Sequence, residues 1–133
     1  MAFNEQEKKN IVERDAYPTP NPMFPTFQGY SSKSKVTLAD ADICKSMLST
    51  PDLWLCKPTP YAYEIGLPIN KDTDDIENGS YGCCVYWLRT SGESNKFACC
   101  VYGDFTCNDH VFYAGDHVEV LGHGIRPVIT MYL

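Results

Sequence analysis

Between Phe97 and Val118 the chain reads FACCVYGDFTCNDHVFYAGDHV, and most side chains there can make a directed contact. Cys99, Cys100 and Cys107 offer thiols, His110 and His117 imidazoles, and Asp109 and Asp116 carboxylates. A thiol near an imidazole is the raw material of a Cys–His nucleophile. Two imidazoles near a carboxylate, here His110, His117 and Asp116, are by type the ligands of a zinc ion. The spacing specifies neither. Adjacent Cys99 and Cys100 point to opposite faces of a strand. No third group is placed to orient an imidazole, and a reactive thiolate needs an electropositive setting that this acidic segment lacks. No C-x-x-C occurs, so the spacing of a structural zinc site is missing too. Upstream, Asp72, Asp74, Asp75 and Glu77 could supply oxygens to calcium, but their spacing is not that of an EF-hand loop and reads as a solvated acidic loop. The expectation is binding without catalysis, and with no cofactor.

The same segment contains no Lys, Glu, Gln, Met, Trp or Arg. A β-rich stretch is naturally poor in several of these, which is the plain explanation. The residues that remain are nevertheless those of a paratope: rings that bring large area at low entropy cost, and short polar groups that add direction. Tyr102, Phe105, Phe112 and Tyr113 would be the anchors. Cys100, Cys107, Asn108, Asp109, His110, Asp116 and His117 would surround them. Ala98, Val101, Gly115 and Val118 recur between them as a frame.

The elements that must hold such a surface are legible in outline. FNEQEKKNIVERD reads as a short helix capped by Asn4, with Glu7 completing a capping box. AYPTPNPMFPTFQGYSSKS holds four of the nine prolines and reads as an extended, irregular arm. Its Tyr17, Phe24, Phe27 and Tyr30 would lay it along the body. KVTLADADICKSML reads as a brief strand, Val36 to Leu38, then a helix capped by Asp40 with Ile43, Met47 and Leu48 on one face. A second helix is expected from Pro60 to Gly66. From Tyr81 onward the pattern is β: CCVYWLRT, then FACCVY and FTCN about a Gly103-Asp104 turn, then HVEVL and GIRPVITMYL. Pro127 puts the last run at an edge or a bulge. The class is α+β, with short helices followed by a mostly antiparallel sheet.

The 133 residues suit one domain with its own core. The net charge of −6 argues against nucleic acid and against an anionic membrane surface, both of which need a basic face. No early segment resembles a signal peptide and no run is long enough to span a bilayer. A cytoplasmic, virion-associated or surface-associated protein is expected. Seven cysteines without such a signal read as buried hydrophobes or free thiols. A bridge between the Cys83-Cys84 and Cys99-Cys100 regions would require those strands to pair.

Tyr86-Trp87-Leu88-Arg89-Thr90-Ser91-Gly92 is similar to a W-W-L-R-S-x-G signature. It is followed by Ala98-x-x-Val101, Gly115-x-x-Val118 and Gly124-Ile125-Arg126-Pro127. With FNEQEKKNIV, KVTLADAD and CKPTPYAYEIG upstream in the same order, almost the whole chain resembles the bacterial and phage domains of C-type lectin fold related to formylglycine-generating enzymes. Phe105 departs from the pattern, since relatives often carry Gly after the Asp. The resemblance implies a single C-type lectin-like domain over 1–133, with a helix and Pro-rich arm in 1–35. It also implies a final strand that pairs near the start of the domain. Trp87, Leu88, Arg89, Gly124, Arg126 and Pro127 would be structural, Trp87 as a large buried ring and the arginines as ties to carbonyls or a carboxylate.

Domains of this fold also serve as variable proteins of diversity-generating retroelements, in which adenines of a C-terminal coding segment are replaced at random. An AAC-type Asn codon can then become Tyr, Asp, His, Cys or Phe, among others, but never Lys, Glu, Gln, Met or Trp. Those five are absent from Phe97 to Val118. The resemblance thus implies a variable binding region over 79–123 and a macromolecular ligand, most simply a protein. The alternatives are a non-variable carbohydrate- or ligand-binding lectin-like module, and a structural accessory domain of a phage or surface assembly. Cys107-Asn108-Asp109 resembles the W-N-D of calcium-dependent sugar binders, whose upstream E-P-N or Q-P-D partner is missing.

Overall fold

Helix α1 (Glu5–Asn10) starts where its capping residues place it: Asn4 Oδ1 accepts from Glu7 N, and the Glu7 carboxylate accepts from Asn4 N, both at 2.8 Å. The computed structural model describes residues 3–17, 19–47, 51–102 and 111–132. Within the arm, β1 (Arg14–Ala16) pairs antiparallel with β2 (Ser32–Ser34), a ladder the proline-rich sequence concealed. Of the expected aromatic clamps only Phe24 is partly covered. Tyr17 and Tyr30 are 68% and 96% exposed. The anchor is Asn21, which is fully enclosed. Its amide donates to Ser91 O at 2.8 Å and Tyr113 O at 2.7 Å, and its Oδ1 accepts from Met23 N and Phe24 N.

Strand β3 (Thr37–Leu38) runs into α2 (Ala41–Met47), whose N-cap is Asp40: its Oδ1 accepts from Ile43 N at 2.7 Å. Leu48, expected on the apolar face of α2, lies outside the described residues. After a short α3 (Pro51–Trp54) comes α4 (Pro60–Glu64), capped by Thr59 and stopped at Gly66, whose φ of +97° suits glycine. The acidic insertion is not a bare loop. It forms α5 (Thr73–Glu77) because Asp75, buried, accepts from Asp72 N at 2.8 Å and from Ser80 Oγ at 3.0 Å. Asp75 therefore acts as the N3 half of a capping box.

Strands β4 (Tyr86–Ser91), β5 (Phe97–Val101) and β6 (Val111–His117) form an antiparallel sheet in that order. The strand that pairs with β5 begins at Val111, opposite Val101. The expected Gly103-Asp104 turn and FTCN strand lie outside the described residues. HVEVL does not continue as a strand; the chain turns after His117. Val118, expected in the frame, is 56% exposed. Between Ala98↔Asp116 and Cys100↔Phe112 the β6 side carries extra residues, a bulge built around Gly115. Its φ is +77°, and a Cβ there would stand 2.4 Å from Ala98 O, so glycine is required twice over.

Strand β7 (Pro127–Val128) pairs antiparallel with β3, and Pro127 sits in a two-stranded ladder with no further neighbour, as a residue without an N–H requires. Val12 N donates to Thr130 O at 2.9 Å and Tyr132 N to Asn10 O at 3.1 Å, so the chain's last segment lies against its first. The architecture is α+β, with short helices and small antiparallel sheets. Among the described residues no helix is long and apolar enough to cross a membrane.

The core gathers Ala39, Ala41, Cys44, Trp54, Tyr86, Leu88, Cys99, Val101 and Val111. Trp87, expected as the large buried ring, is only half-covered, because strand alternation buries Tyr86, Leu88 and Thr90 instead. The core indole is Trp54, whose carbonyl accepts from Tyr86 OH at 2.9 Å. Both arginines act as ties. Arg89 Nη2 donates to Asp40 Oδ2 at 3.0 Å and Tyr17 O at 2.9 Å. Arg126 Nη1 donates to Tyr86 OH at 3.3 Å and lies over that ring, 5.4 Å from its centroid. The six described cysteines are all free, so no bridge joins the two cysteine pairs.

Candidate functional site

The sheet β4-β5-β6 has two differently built faces. Tyr86, Val101 and Val111 pair across it and face the core. The next row is Trp87, Cys100 and Phe112. Alternation puts that row on the opposite face, and there a polar cluster sits. Asp116 is its hub. Tyr102 OH donates to Asp116 Oδ2 at 2.6 Å, His123 Nε2 lies 2.6 Å from the same oxygen, and Cys100 Sγ lies 3.6 Å from it. Trp87 stacks on His123 with centroids 4.3 Å apart, and Phe112 meets Tyr102 edge-to-face at 5.6 Å.

Burial alone would raise the Asp116 carboxyl, but the hydrogen bonds of Tyr102 and His123, and the charge of the imidazole, outweigh it and hold the group below the usual carboxylate range. The thiols behave oppositely. Burial pushes Cys99 up to about 12, and burial followed by the Asp116 charge pushes Cys100 higher than an ordinary thiol. Neither is a ready thiolate.

The residues singled out from sequence divide three ways. Tyr102, Phe112 and Asp116 come together in this cluster, half-buried. His117 stays apart: its ring meets Phe97 edge-to-face at 5.4 Å and its side chain is 37% exposed. Two lie inside. Cys100 is completely enclosed, so its thiol cannot be a displayed contact. Tyr113 packs against the core, where its carbonyl receives Asn21. Phe105, Cys107, Asn108, Asp109 and His110 lie outside the described residues. The zinc trio imagined from residue types is not assembled by those described: Asp116 faces His123, while the neighbouring His117 faces Phe97.

His123 is the site residue that sequence reasoning passed over. It sits between Gly122 and Gly124, directly before the G-I-R-P motif, in a stretch read as frame. An imidazole between two glycines was the available signal. His123 also forms part of the wall of a neighbouring cavity of about 560 Å³ lined by Cys56, Tyr61, Ile65, Leu121, Ile125 and Arg126, among others. There the adjoining Cys84 thiol holds Cys56 below its ordinary range against the effect of burial, with help from the Arg126 charge.

No protein-family model matches this chain, and no curated protein or solved structure is significantly similar to it.

Proposed function

We propose that this chain is a non-catalytic binding domain that displays a diversified surface on a C-type lectin-like frame, the variable protein of a diversity-generating retroelement, with a protein as its ligand. One observation carries the reading. On a single sheet, the core-facing row is Tyr86, Val101 and Val111, while Trp87 and Phe112 of the opposite row, with Tyr102 and Asp116 beside them, are rings and an ionisable group left partly open to solvent over an enclosed Cys100. Tyr102, Phe112, Asp116 and His117 are the described contact residues of this surface. Phe105, Cys107, Asn108, Asp109 and His110 in the connecting segment belong to the same proposal. Rings flanked by short polar groups favour protein surfaces, which need large contact area at little entropy cost. The enclosed frame beneath (Leu88, Cys99, Val101) supplies rigidity, and the acidic balance of the chain selects against nucleic acid.

The test is to sequence sister copies of the coding region from one population, together with the flanking DNA. Expected are substitutions concentrated between codons 97 and 118, at positions that are adenine in a neighbouring near-copy beside a reverse transcriptase gene. Sister copies that vary evenly along the chain, with no such repeat, overturn the reading.

A further inference from the structure

We infer that Cys100, Asp116 and His123 form a binding site for a borderline-soft divalent cation, with zinc the best-matched ion. The thiol sulfur, a carboxylate oxygen and an imidazole nitrogen lie within 4.8 Å of one another. This mixed S/O/N set suits zinc and its congeners, whereas calcium and magnesium take oxygen shells. The proposal does not rest on diversification. It is read from three side chains, one of which, His123, lies outside Phe97 to Val118.

Two features distinguish the cluster from an ordinary hydrogen-bond network. The first is convergence. Tyr102 OH, His123 Nε2 and Cys100 Sγ all aim at one atom, Asp116 Oδ2. A carboxylate oxygen has about two lone-pair directions, so three donors exceed what it can accept well. An ion among them resolves the crowding, because sulfur, nitrogen and oxygen then all face the cation as donors of lone pairs. The second is the histidine. Its side chain is only 8% exposed, yet Nδ1 is buried with no hydrogen-bond partner. With Nδ1 unpartnered, Nε2 is the ring nitrogen turned toward Asp116, and it is the one a cation would meet beside Cys100. Stacking against Trp87 fixes the ring plane.

The fit requires a small adjustment. Tetrahedral bonds of about 2.1 Å place ligand atoms roughly 3.4 Å apart. The Cys100–Asp116 separation of 3.6 Å is already near that, and the His123–Asp116 separation of 2.6 Å must widen. His123 follows β6 and a turn rather than lying in the ladder, so a shift of under an ångström does not break strand pairing. On binding, the Cys100 thiol releases its proton to solvent as the sulfur–metal bond forms, and any proton on Nε2 leaves likewise. Tyr102 OH remains beside Asp116 as an outer support or, through water, at the fourth position.

Titration of the reduced, full-length chain with Co²⁺, followed by displacement with Zn²⁺, tests this. Expected are one equivalent bound, a thiolate-to-cobalt charge-transfer band that Zn²⁺ removes, and a rise in Tm with Zn²⁺ but not with Ca²⁺. Cys100→Ser should abolish the band and His123→Gln should weaken binding at least tenfold, while Cys56→Ser leaves both intact. Because the Cys100 variant could fail to fold, X-ray absorption on the zinc-loaded native chain gives an independent reading. One sulfur and otherwise nitrogen or oxygen neighbours support the site. A shell without sulfur, a shell with two or more sulfurs, or a cobalt band lost in Cys56→Ser overturns it. Invariant sister copies together with a positive titration would separate this proposal from the display reading.

Discussion

At the scale of single residues, the buried thiols and one buried amide decide the most. Cys44 lies in the core beside Trp54 and Tyr86, and burial pushes its thiol up from an ordinary 9.0 to about 11. Above pH 9 the unfolded chain loses this proton while the folded chain keeps it. The folded state is therefore favoured fully below that pH and loses the advantage as pH rises toward 11. A tenfold difference in proton affinity between the two states is worth about 1.4 kcal/mol for a fully enclosed group. Denaturant unfolding of the native chain should thus show stability falling between pH 9 and 11, and Cys44→Ala should flatten that fall. Parallel pH profiles for the two proteins would disprove the assignment. Asn21 is the other such residue. Asn21→Ala strands the carbonyls of Ser91 and Tyr113, and a buried group left unpaired costs about 1–3 kcal/mol. A Tm drop of several degrees and faster proteolysis around residue 21 are expected; an unchanged Tm would mean that the arm is held elsewhere.

At the scale of elements, helix α2 and strand β4 are joined through one ion pair that also caps the helix. Asp40 offers Oδ1 to Ile43 N and Oδ2 to Arg89, with side-chain exposures of 7% for Asp40 and 18% for Arg89. Removing one partner of an enclosed pair leaves a charge without compensation, at a cost of about 3–5 kcal/mol. Arg89→Met should therefore be severe. Adding Asp40→Asn should restore part of the loss, because the amide is neutral and keeps the oxygen that caps α2. A double-mutant cycle by denaturant unfolding measures this, and additive single effects would show that the two groups do not act together. These elements were legible because their signals are local. Asn4 with Glu7, Asp40 before α2, and Thr59-Pro60 with Gly66 each fix a terminus within four residues. The acidic α5 was missed because Asp75 does the work usually done by Glu or Gln. The β1–β2 ladder was missed because polar strands among prolines carry no alternation. In the site, Tyr102, Phe112 and Asp116 were singled out by residue type and come together, whereas Cys100 is enclosed and Tyr113 leans on the core. Composition says which side chains make contacts; it does not say which face of a bulged strand they occupy. His123 reaches the cluster only through the turn after β6, which no local pattern encodes.

At the scale of the whole molecule, the two ends of the chain close the structure around the sheet. Thr130 O holds Val12 N, Met131 bridges Ile11, and Asn10 O receives Tyr132 N, while β7 is separately laddered to β3. The backbone hydrogen bonds of that end-to-end ladder do not reach the sheet β4-β5-β6, whose inner face lies on the core with Val128 packed against it. A binding surface on the outward face of that sheet would thus rest on the part of the molecule least affected by the termini. Deleting residues 129–133, which leaves β7 in place, removes the two backbone hydrogen bonds that make the Ile11–Met131 bridge. At about 0.5–1.5 kcal/mol for each bond, the loss should be roughly 1–3 kcal/mol. If the ends form a subsidiary layer, hydrogen exchange in the truncated chain should accelerate from Glu5 to Ala16, while amides of Leu88, Cys99 and Val101 keep their protection. A uniform loss of protection across both regions would show instead that the end-to-end ladder belongs to the same cooperative unit as the sheet.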